Sequence, residues 1–352
     1  MVLLAQELQK RGHEISVIAF YDGVHKPALL ASGVTVHTLN KRGRWDVLGF
    51  LWRLVKLVRS QSPDILYGYL VVCNLLTSFL RLVTPKTKSV WGVRTANLKL
   101  EYYDWLARRL SFIERKLSGL ASLIIVNSQA GWRHLLAEGV AEKKIVVIPN
   151  GIDVNQFRPD HSAREKTRAK WNIARDEILI GIVGRIDPIK EHRVFLTAAR
   201  KFSQVYPNAR FVCVGESVNQ RYQVNLDTLI EELELPQRVI WTGAQYDMLG
   251  VYNALDILTN ASSSEGFSNV IGEAMSCGTP CVVTDVGDSA LIVGATSVVV
   301  PVNDTTALME GWIHCLRQKR QDAATSARQR IVENFSTQEL VERTEAALMA
   351  IV

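Results

Sequence analysis

Apolar and polar positions along the chain alternate in two rhythms. Short runs rich in β-branched and aromatic residues, HEISVIAF, GVTVHTL, PDILYGY, KSVWGV, ASLIIVN and KIVVIPN, precede position 150, and EILIGIVG, RFVCVG, RVIWTG, DILTNA, PCVVT and TSVVVPV follow position 176. Between them lie longer stretches with helical spacing, such as VLLAQELQKRG and FLWRLVKLVRSQ. Strands alternating with helices predict an α/β protein with mainly parallel sheets. The alternation breaks once, in the polar, charged segment from Arg158 to Asp176, and then resumes. This predicts two Rossmann-like domains joined by a hinge in that segment and facing a cleft, with ligands at the carboxyl ends of the strands. The expected domains are 1–160 and 161–335, with a C-terminal helix over 336–352 that packs back toward the first.

A chain of 352 residues with 47% apolar content suits two cores, since single cores stop growing near ~250–300 residues. No uncharged apolar run reaches the ~18 residues of a membrane span. The opening MVLLAQELQKRGHE carries charge inside its apolar stretch, unlike a signal peptide. The five cysteines, Cys73, Cys213, Cys277, Cys281 and Cys315, do not form a disulfide framework, so a cytoplasmic location is expected. Cys277 and Cys281 lack a second pair or a nearby histidine, so no metal site is expected; they read as small apolar fillers where a helix meets a strand. The net charge of +6 hides a division: residues 1–150 hold 21 Lys and Arg against 10 Asp and Glu, a balance of +11, and the remainder holds 20 against 25, or −5. A basic front half predicts an anionic partner, and an aromatic-and-basic β-platform or helix-turn-helix that would make it nucleic acid is missing. Neither G-x-G-x-x-G after a strand nor G-x-x-x-x-G-K-[ST] occurs, which argues against a nicotinamide enzyme and a P-loop NTPase.

Two stretches carry chemistry. In GIVGRIDPIKEH, Gly181 to His192, an apolar run ends at a glycine, and Arg185 and Lys190 flank Pro188. A guanidinium fork and a compact ammonium at a strand's carboxyl end suit a diphosphate, and a solvated basic loop is the plainer reading. In SSSEGFSNVIGEAMSCGTP, Ser262 to Pro280, a small, polar first half predicts a loop, and Ser268 to Cys277 predicts a helix closed by Gly278 and Pro280. Glu265 then sits in the loop and Glu273 in the helix. Gly266 lets backbone approach a ligand, and Ser268 and Asn269 lie where first-turn amides seat phosphate oxygens. Glu273, a turn deeper, is suited to accept from the paired hydroxyls of a ribose, and Glu265 to face whatever the far phosphate carries. Carboxylate, amides, carboxylate matches sugar, diphosphate, ribose. The alternative is a Glu265 that caps the helix and a Glu273 that is exposed or ion-paired.

These blocks resemble the donor-binding domain of the family 4 retaining glycosyltransferases of GT-B architecture, and the resemblance extends over nearly the whole chain. VIPNGIDVNQFRP is similar to the segment joining that family's two domains, GRIDPIKEHRVFLTAA to its diphosphate block, and SSSEGFSNVIGEAMSCGTPCVVTDVGDSALIVG to its E-x7-E block; WGVRTANL, VNSQAGWRHL and TGAQYDMLGVYNALDI resemble further family segments. The resemblance implies a metal-independent hexosyltransferase without a cofactor. A nucleotide-diphospho-sugar would be the donor and a glycan or lipid-linked molecule the acceptor, with a role in cell-envelope or polysaccharide biosynthesis. Carried onto matching positions, it gives Arg185 and Lys190 to the diphosphate, Glu273 to the ribose, and Glu265 to the transferred sugar and the reacting face. Main-chain amides near Gly266, Phe267, Ser268 and Asn269 would contact sugar and phosphate.

Two departures from the family stand out. The family begins with a β-strand and glycine-rich loop, whereas this sequence opens in the helix that follows, which predicts a truncated start and two exposed strand edges in the first domain. Where many relatives have a histidine, PDILYGYL offers Tyr67 and Tyr69, which do not readily take a proton at neutral pH. Arg94, Asn97, Asn127, Ser128 and Tyr69, near strand ends, are candidates for the acceptor side. The helical stretches 50–61 and 105–121 mix aromatic residues with Lys and Arg, and predict weak, salt-sensitive attachment to the inner face of an acidic membrane. A rival expectation is a binding or scaffold protein that lost its reaction with the missing strand.

Overall fold

Each β-branched run forms a strand, trimmed to the residues between its turn-forming flanks. The strands are β1 (Ser16–Ala19), β2 (Thr35–Thr38), β3 (Ile65–Tyr69), β4 (Lys88–Val93), β5 (Leu123–Val126), β6 (Ile145–Val147), β7 (Ile178–Val183), β8 (Ala209–Val214), β9 (Val239–Trp241), β10 (Ile257–Asn260), β11 (Cys281–Thr284) and β12 (Val298–Val300). The helices are α1 (Val2–Lys10), α2 (Lys26–Ala31), α3 (Leu48–Gln61), α4 (Leu70–Arg81), α5 (Trp105–Leu117), α6 (Gln129–Ala137), α7 (His161–Lys170), α8 (His192–Val205), α9 (Gln220–Glu232), α10 (Met248–Ala254), α11 (Asn269–Ser276), α12 (Ser289–Val293), α13 (Thr305–Arg317), α14 (Arg320–Asn334) and α15 (Thr337–Met349). The computed structural model describes residues 1–43, 45–94, 105–318 and 320–352. It divides into two units, Met1–Gly151 with Thr337–Val352, and Ile152–Ser336. Among the described residues every strand pairing is parallel, and each unit is a Rossmann-like α/β domain.

In the first unit the strands form two separate sheets, β1–β2 and β3–β4–β5–β6. Among the described residues β1 and β3 each keep one edge without a strand partner. The larger sheet is buried at its centre by Val90, Trp91, Ile124 and Ile125. Helix α4 is pinned to it where the Trp91 indole donates to Ser78 Oγ (3.0 Å). Leu340 and Leu348 of α15 pack on Val90 and Ile125, and Arg11 and His13 bind Glu345 at 2.6 and 2.7 Å.

In the second unit the strand order is β12-β11-β10-β7-β8-β9. The chain enters at β7, winds outward through β8 and β9, then returns to β10 and winds the other way. The order therefore reverses between β7 and β10, the point at which open α/β sheets leave a crevice beyond their carboxyl ends. Strand β7 is buried on both faces: Leu179 and Val183 enter one core, Ile180 and Ile182 the other, which is why ILIGIV reads as an unbroken apolar run.

The segment Arg158 to Asp176 corrects the sequence reading. The first unit ends at Gly151, ahead of the boundary expected at 160, and the polar stretch beyond it is not a hinge. It holds α7, capped where Asp160 accepts from the Ala163 amide at 2.9 Å. Arg164 and Arg168 reach Asp256 at 2.8 and 3.2 Å, and Arg164 also donates to the carbonyls of Asn253, Ala254 and Leu255 at the end of α10. Charges that look solvated by composition are turned inward onto a carboxylate and a helix C-terminus.

Cys277, which ends α11, and Cys281, which opens β11, are both buried and free. Burial pushes the Cys277 thiol up to about 12 and that of Cys281 well up. No helix among the described residues is long and apolar enough to cross a membrane.

The turns after β7 and β8 are locked together. The Gly184 amide donates to the Val214 carbonyl (2.9 Å) and the Gly215 amide to that of Gly243 (3.0 Å). Gly215 has φ +144°, and a β-carbon there would overlap the Gly184 carbonyl oxygen. Gly215→Ala is expected to lower unfolding stability by roughly 2–3 kcal/mol. A denaturant midpoint equal to that of the parent contradicts this packing.

Candidate functional site

The two chemistry-bearing stretches follow the two strands that flank the reversal. After β7, Gly184 opens a turn and Arg185 and Ile186 run into a short 3-10 turn over Pro188–Lys190, which Asp187 caps by accepting from the Ile189 amide (3.1 Å). The Lys190 side chain folds back across Gly184, whose β-position its Cε approaches at 3.4 Å. After β10 comes the loop Ala261–Phe267, then α11 with Ser268 as N-cap and Cys277 as C-cap. Gly278 follows at φ +76°. The loop-then-helix division expected for this stretch is thus the one found, with Glu265 in the loop and Glu273 in the helix.

Lys190 and Glu265 meet. Lys190 Nζ lies 2.6 Å from Glu265 Oε1, and their side chains are only 20% and 12% exposed. The same oxygen accepts from Ser262 Oγ at 2.8 Å and, more distantly, from Asn260 Nδ2 at 3.4 Å. Asn260 also donates to Ser268 Oγ (3.0 Å), so the end of β10 braces both the carboxylate and the mouth of α11. The two loops are further joined by the Ser263 amide donating to the Ile189 carbonyl (2.9 Å). Arg185 stands apart from this knot: its side chain is 69% exposed and its ionic contact is to Asp187 at 3.7 Å.

Glu273 is half-buried in α11, and Tyr252 of α10 donates its hydroxyl to Oε2 at 2.5 Å. Burial raises the Glu273 carboxyl above the usual carboxylate range, with the Tyr252 hydrogen bond opposing that shift. Of the residues expected to offer main-chain amides, Gly266 lends its carbonyl to the Asp288 amide (3.0 Å), Phe267 buries its ring against Phe335 at 5.5 Å, Ser268 is buried and Asn269 is exposed.

The acceptor-side candidates lie in the first unit. Tyr67 and Tyr69 stack at 4.5 Å. The Arg94 guanidinium lies 5.1 Å over the Tyr69 ring and donates to Asn150 Oδ1 at 2.8 Å and, at 3.4 Å, to the Tyr67 hydroxyl. Burial raises both phenols, which keeps them protonated at neutral pH. Asn127 is buried. Ser128 is a correction: it is fully buried and its hydroxyl accepts from the Gly131 amide at 3.0 Å as the N-cap of α6, so it starts a helix and does not face an acceptor. Asn97 lies outside the described residues.

Sequence reasoning missed Tyr252, Asn260 and His192. Tyr252 stands in the family-like segment TGAQYDMLGVYNALDI and Asn260 closes the strand run DILTNA, so position at a strand or helix end was the available signal. His192, next to Lys190, is completely buried at the start of α8, and neither ring nitrogen finds a partner among the described residues.

Comparison with known proteins gives the family of the chain. Residues 163–334 match the model described as glycosyl transferases group 1, and residues 1–156 match that of glycosyltransferase family 4. The chain belongs to the family 4 glycosyltransferases and has their GT-B type of fold. A D-inositol 3-phosphate glycosyltransferase of Mycobacterium sp. (strain KMS) is 30% identical over 234 residues, 64% of this chain and 50% of that protein; the chain thus spans about half the length of such relatives. A GDP-mannose-dependent alpha-mannosyltransferase of Mycobacterium tuberculosis is 26% identical over 349 residues, 94% of this chain and 87% of that protein. The crystal structure of Anabaena HepE in complex with UDP superposes with a TM-score of 0.86 at 22% identity, covering 99% of this chain and 94% of that one.

Burial, with the charge of Lys190 adding to it, pushes His192 down to about 4 from an ordinary 6.5. The folded state resists the proton and the unfolded chain takes it, so this contribution to stability is present above about 6.5 and is lost as pH falls toward 4. Its full size is about 3 kcal/mol. In His192→Leu that part of the acid sensitivity is expected to vanish. Parallel stability-versus-pH curves for the two proteins between these limits contradict a neutral, unpartnered His192.

Proposed function

We propose that the chain is a retaining, metal-independent hexosyltransferase that moves a sugar from a nucleotide-diphospho-sugar to a glycan or lipid-linked acceptor. The observation that carries this reading is the Lys190–Glu265 pair at the β7/β10 reversal, with the Glu273 carboxylate on the helix that follows. An ammonium has three donors. Lys190 can therefore keep one on Glu265 and turn the others to a diphosphate, while Ser262 and Asn260 hold the carboxylate where it is. Arg185, exposed and loosely paired, is free to swing its fork onto the same phosphates. As the bond from sugar to diphosphate breaks, negative charge grows on the leaving oxygen, and cations already in place stabilise it without reorganising.

Glu273 completes the grip. Tyr252 occupies Oε2, so Oε1 is the oxygen left for ribose hydroxyls, and the raised carboxyl makes donor binding weaken as pH falls through its titration. Support for a nucleotide-sugar comes from similar proteins, one of them GDP-mannose-dependent and another, HepE, found in complex with UDP and with UDP-glucose. Glu265 is the carboxylate that faces the transferred sugar. The work fits cell-envelope or polysaccharide biosynthesis at the cytoplasmic face of a membrane, to which the basic first unit attaches peripherally.

Arg185→Ala and Lys190→Ala are each expected to lower kcat by roughly 100-fold or more. Glu273→Ala is expected mainly to raise the donor KM. Steady-state kinetics with a panel of nucleotide-sugars decides, and parental kinetics in all three variants overturns the site.

A further inference from the structure

We infer that the solvent face of the layer formed by α3, α4 and α5 is the surface on which this protein docks to an anionic lipid bilayer. The inference rests on the membrane-associated reading above and assigns it to particular residues. The three helices are contiguous. Phe50, Leu54 and Val58 of α3 share a core cluster with Leu76 and Leu80 of α4 and with Ile18 and Leu66 of the strands. Asn74 of α4 donates to Glu114 of α5 at 2.6 Å, and Arg81 to the Leu120 carbonyl at 2.8 Å. With one side of each helix committed inward, the other faces solvent.

That other side is unusually apolar for a surface. Leu48 and Trp52 on α3 are 84% and 66% exposed, Phe79 on α4 and Leu82 at its end 42% and 72%, and Trp105 and Phe112 on α5 64% and 53%. The same side is cationic. Of the eight Lys and Arg in the three helices, Lys56, Arg59, Arg81, Arg108, Arg109 and Lys116 are exposed, whereas Arg53 pairs with Asp46 and Arg115 with Glu138; the single acid within the helices, Glu114, is turned inward to Asn74. The two properties are interleaved by one repeated device, an aromatic ring with a cation four residues on: Lys56 over Trp52 at 5.4 Å, Arg109 over Trp105 at 5.7 Å and Lys116 over Phe112 at 5.7 Å.

This pattern selects the occupant. A soluble polyanion would satisfy the cations and leave Leu48, Trp52, Leu82 and Phe112 in water. A bilayer of acidic lipids satisfies both, with rings at the headgroup level and cations on the phosphates.

The test is co-sedimentation with vesicles of phosphatidylglycerol and phosphatidylcholine, against phosphatidylcholine alone, at low and high salt. The parent is expected to bind only the acidic vesicles and to be released by salt. The variant Lys56→Glu, Arg59→Glu, Arg109→Glu, Lys116→Glu is expected to bind them at least roughly tenfold more weakly. Trp52→Ala with Phe112→Ala, which keeps every charge, is also expected to bind more weakly. A thermal shift with a nucleoside diphosphate equal to the parent's shows each variant folded. Undiminished binding of the charge-reversed variant overturns the surface while leaving membrane attachment standing. A parent that ignores acidic vesicles overturns both, without touching the donor site. Binding of heparin as tight as that of vesicles, and indifferent to the two aromatic substitutions, makes the face a polyanion site and overturns the bilayer.

Discussion

The second unit turns on one ion pair. Lys190 comes from the turn after β7 and Glu265 from the loop after β10, the two strands between which the winding of the sheet reverses. Charges this little exposed give up much of their hydration, and such a pair persists only where further donors complete its shell. Ser262 and Asn260 supply them on the acidic side. The arrangement fixes a carboxylate, stretches a lysine across Gly184 and ties two loops into one wall of the crevice. A ligand bearing phosphates, as proposed, would meet a cation already held in position.

Much of this was legible in the sequence, for a definite reason. The strands are apolar runs between turn residues, and because β7 is covered on both faces its run is unbroken and easy to see. The division of SSSEGFSNVIGEAMSCGTP into loop and helix followed from glycine, serine and proline placement alone. What composition conceals is the partner of a polar side chain. Arg164 and Arg168 sit in a stretch that reads as a solvated linker, yet Asp256 draws them inward. Ser128 looked like a strand-end ligand and is a helix cap. Tyr252, which fixes Glu273, lies far from it in sequence, and only the fold brings the phenol to the carboxylate.

The charge asymmetry acquires a structural meaning in the first unit. Its excess of lysine and arginine is not spread evenly: in α3 and α5, Lys56, Arg109 and Lys116 each lie over an exposed ring. Among the described residues its strands lie in two sheets, and helix-to-sheet clusters and α15 pack against them. The Lys190–Glu265 pair and Glu273 lie in the second unit, and the first holds the Arg94–Tyr69 cluster and the basic, apolar face.

Lys190, we propose, is held by Glu265 in readiness for a diphosphate. A crystal structure of the protein with a bound nucleoside diphosphate tests it directly. Phosphate oxygens are expected within hydrogen-bonding distance of Lys190 Nζ, and ribose hydroxyls on Glu273. Phosphates bound elsewhere, with both side chains untouched by the ligand, would contradict it.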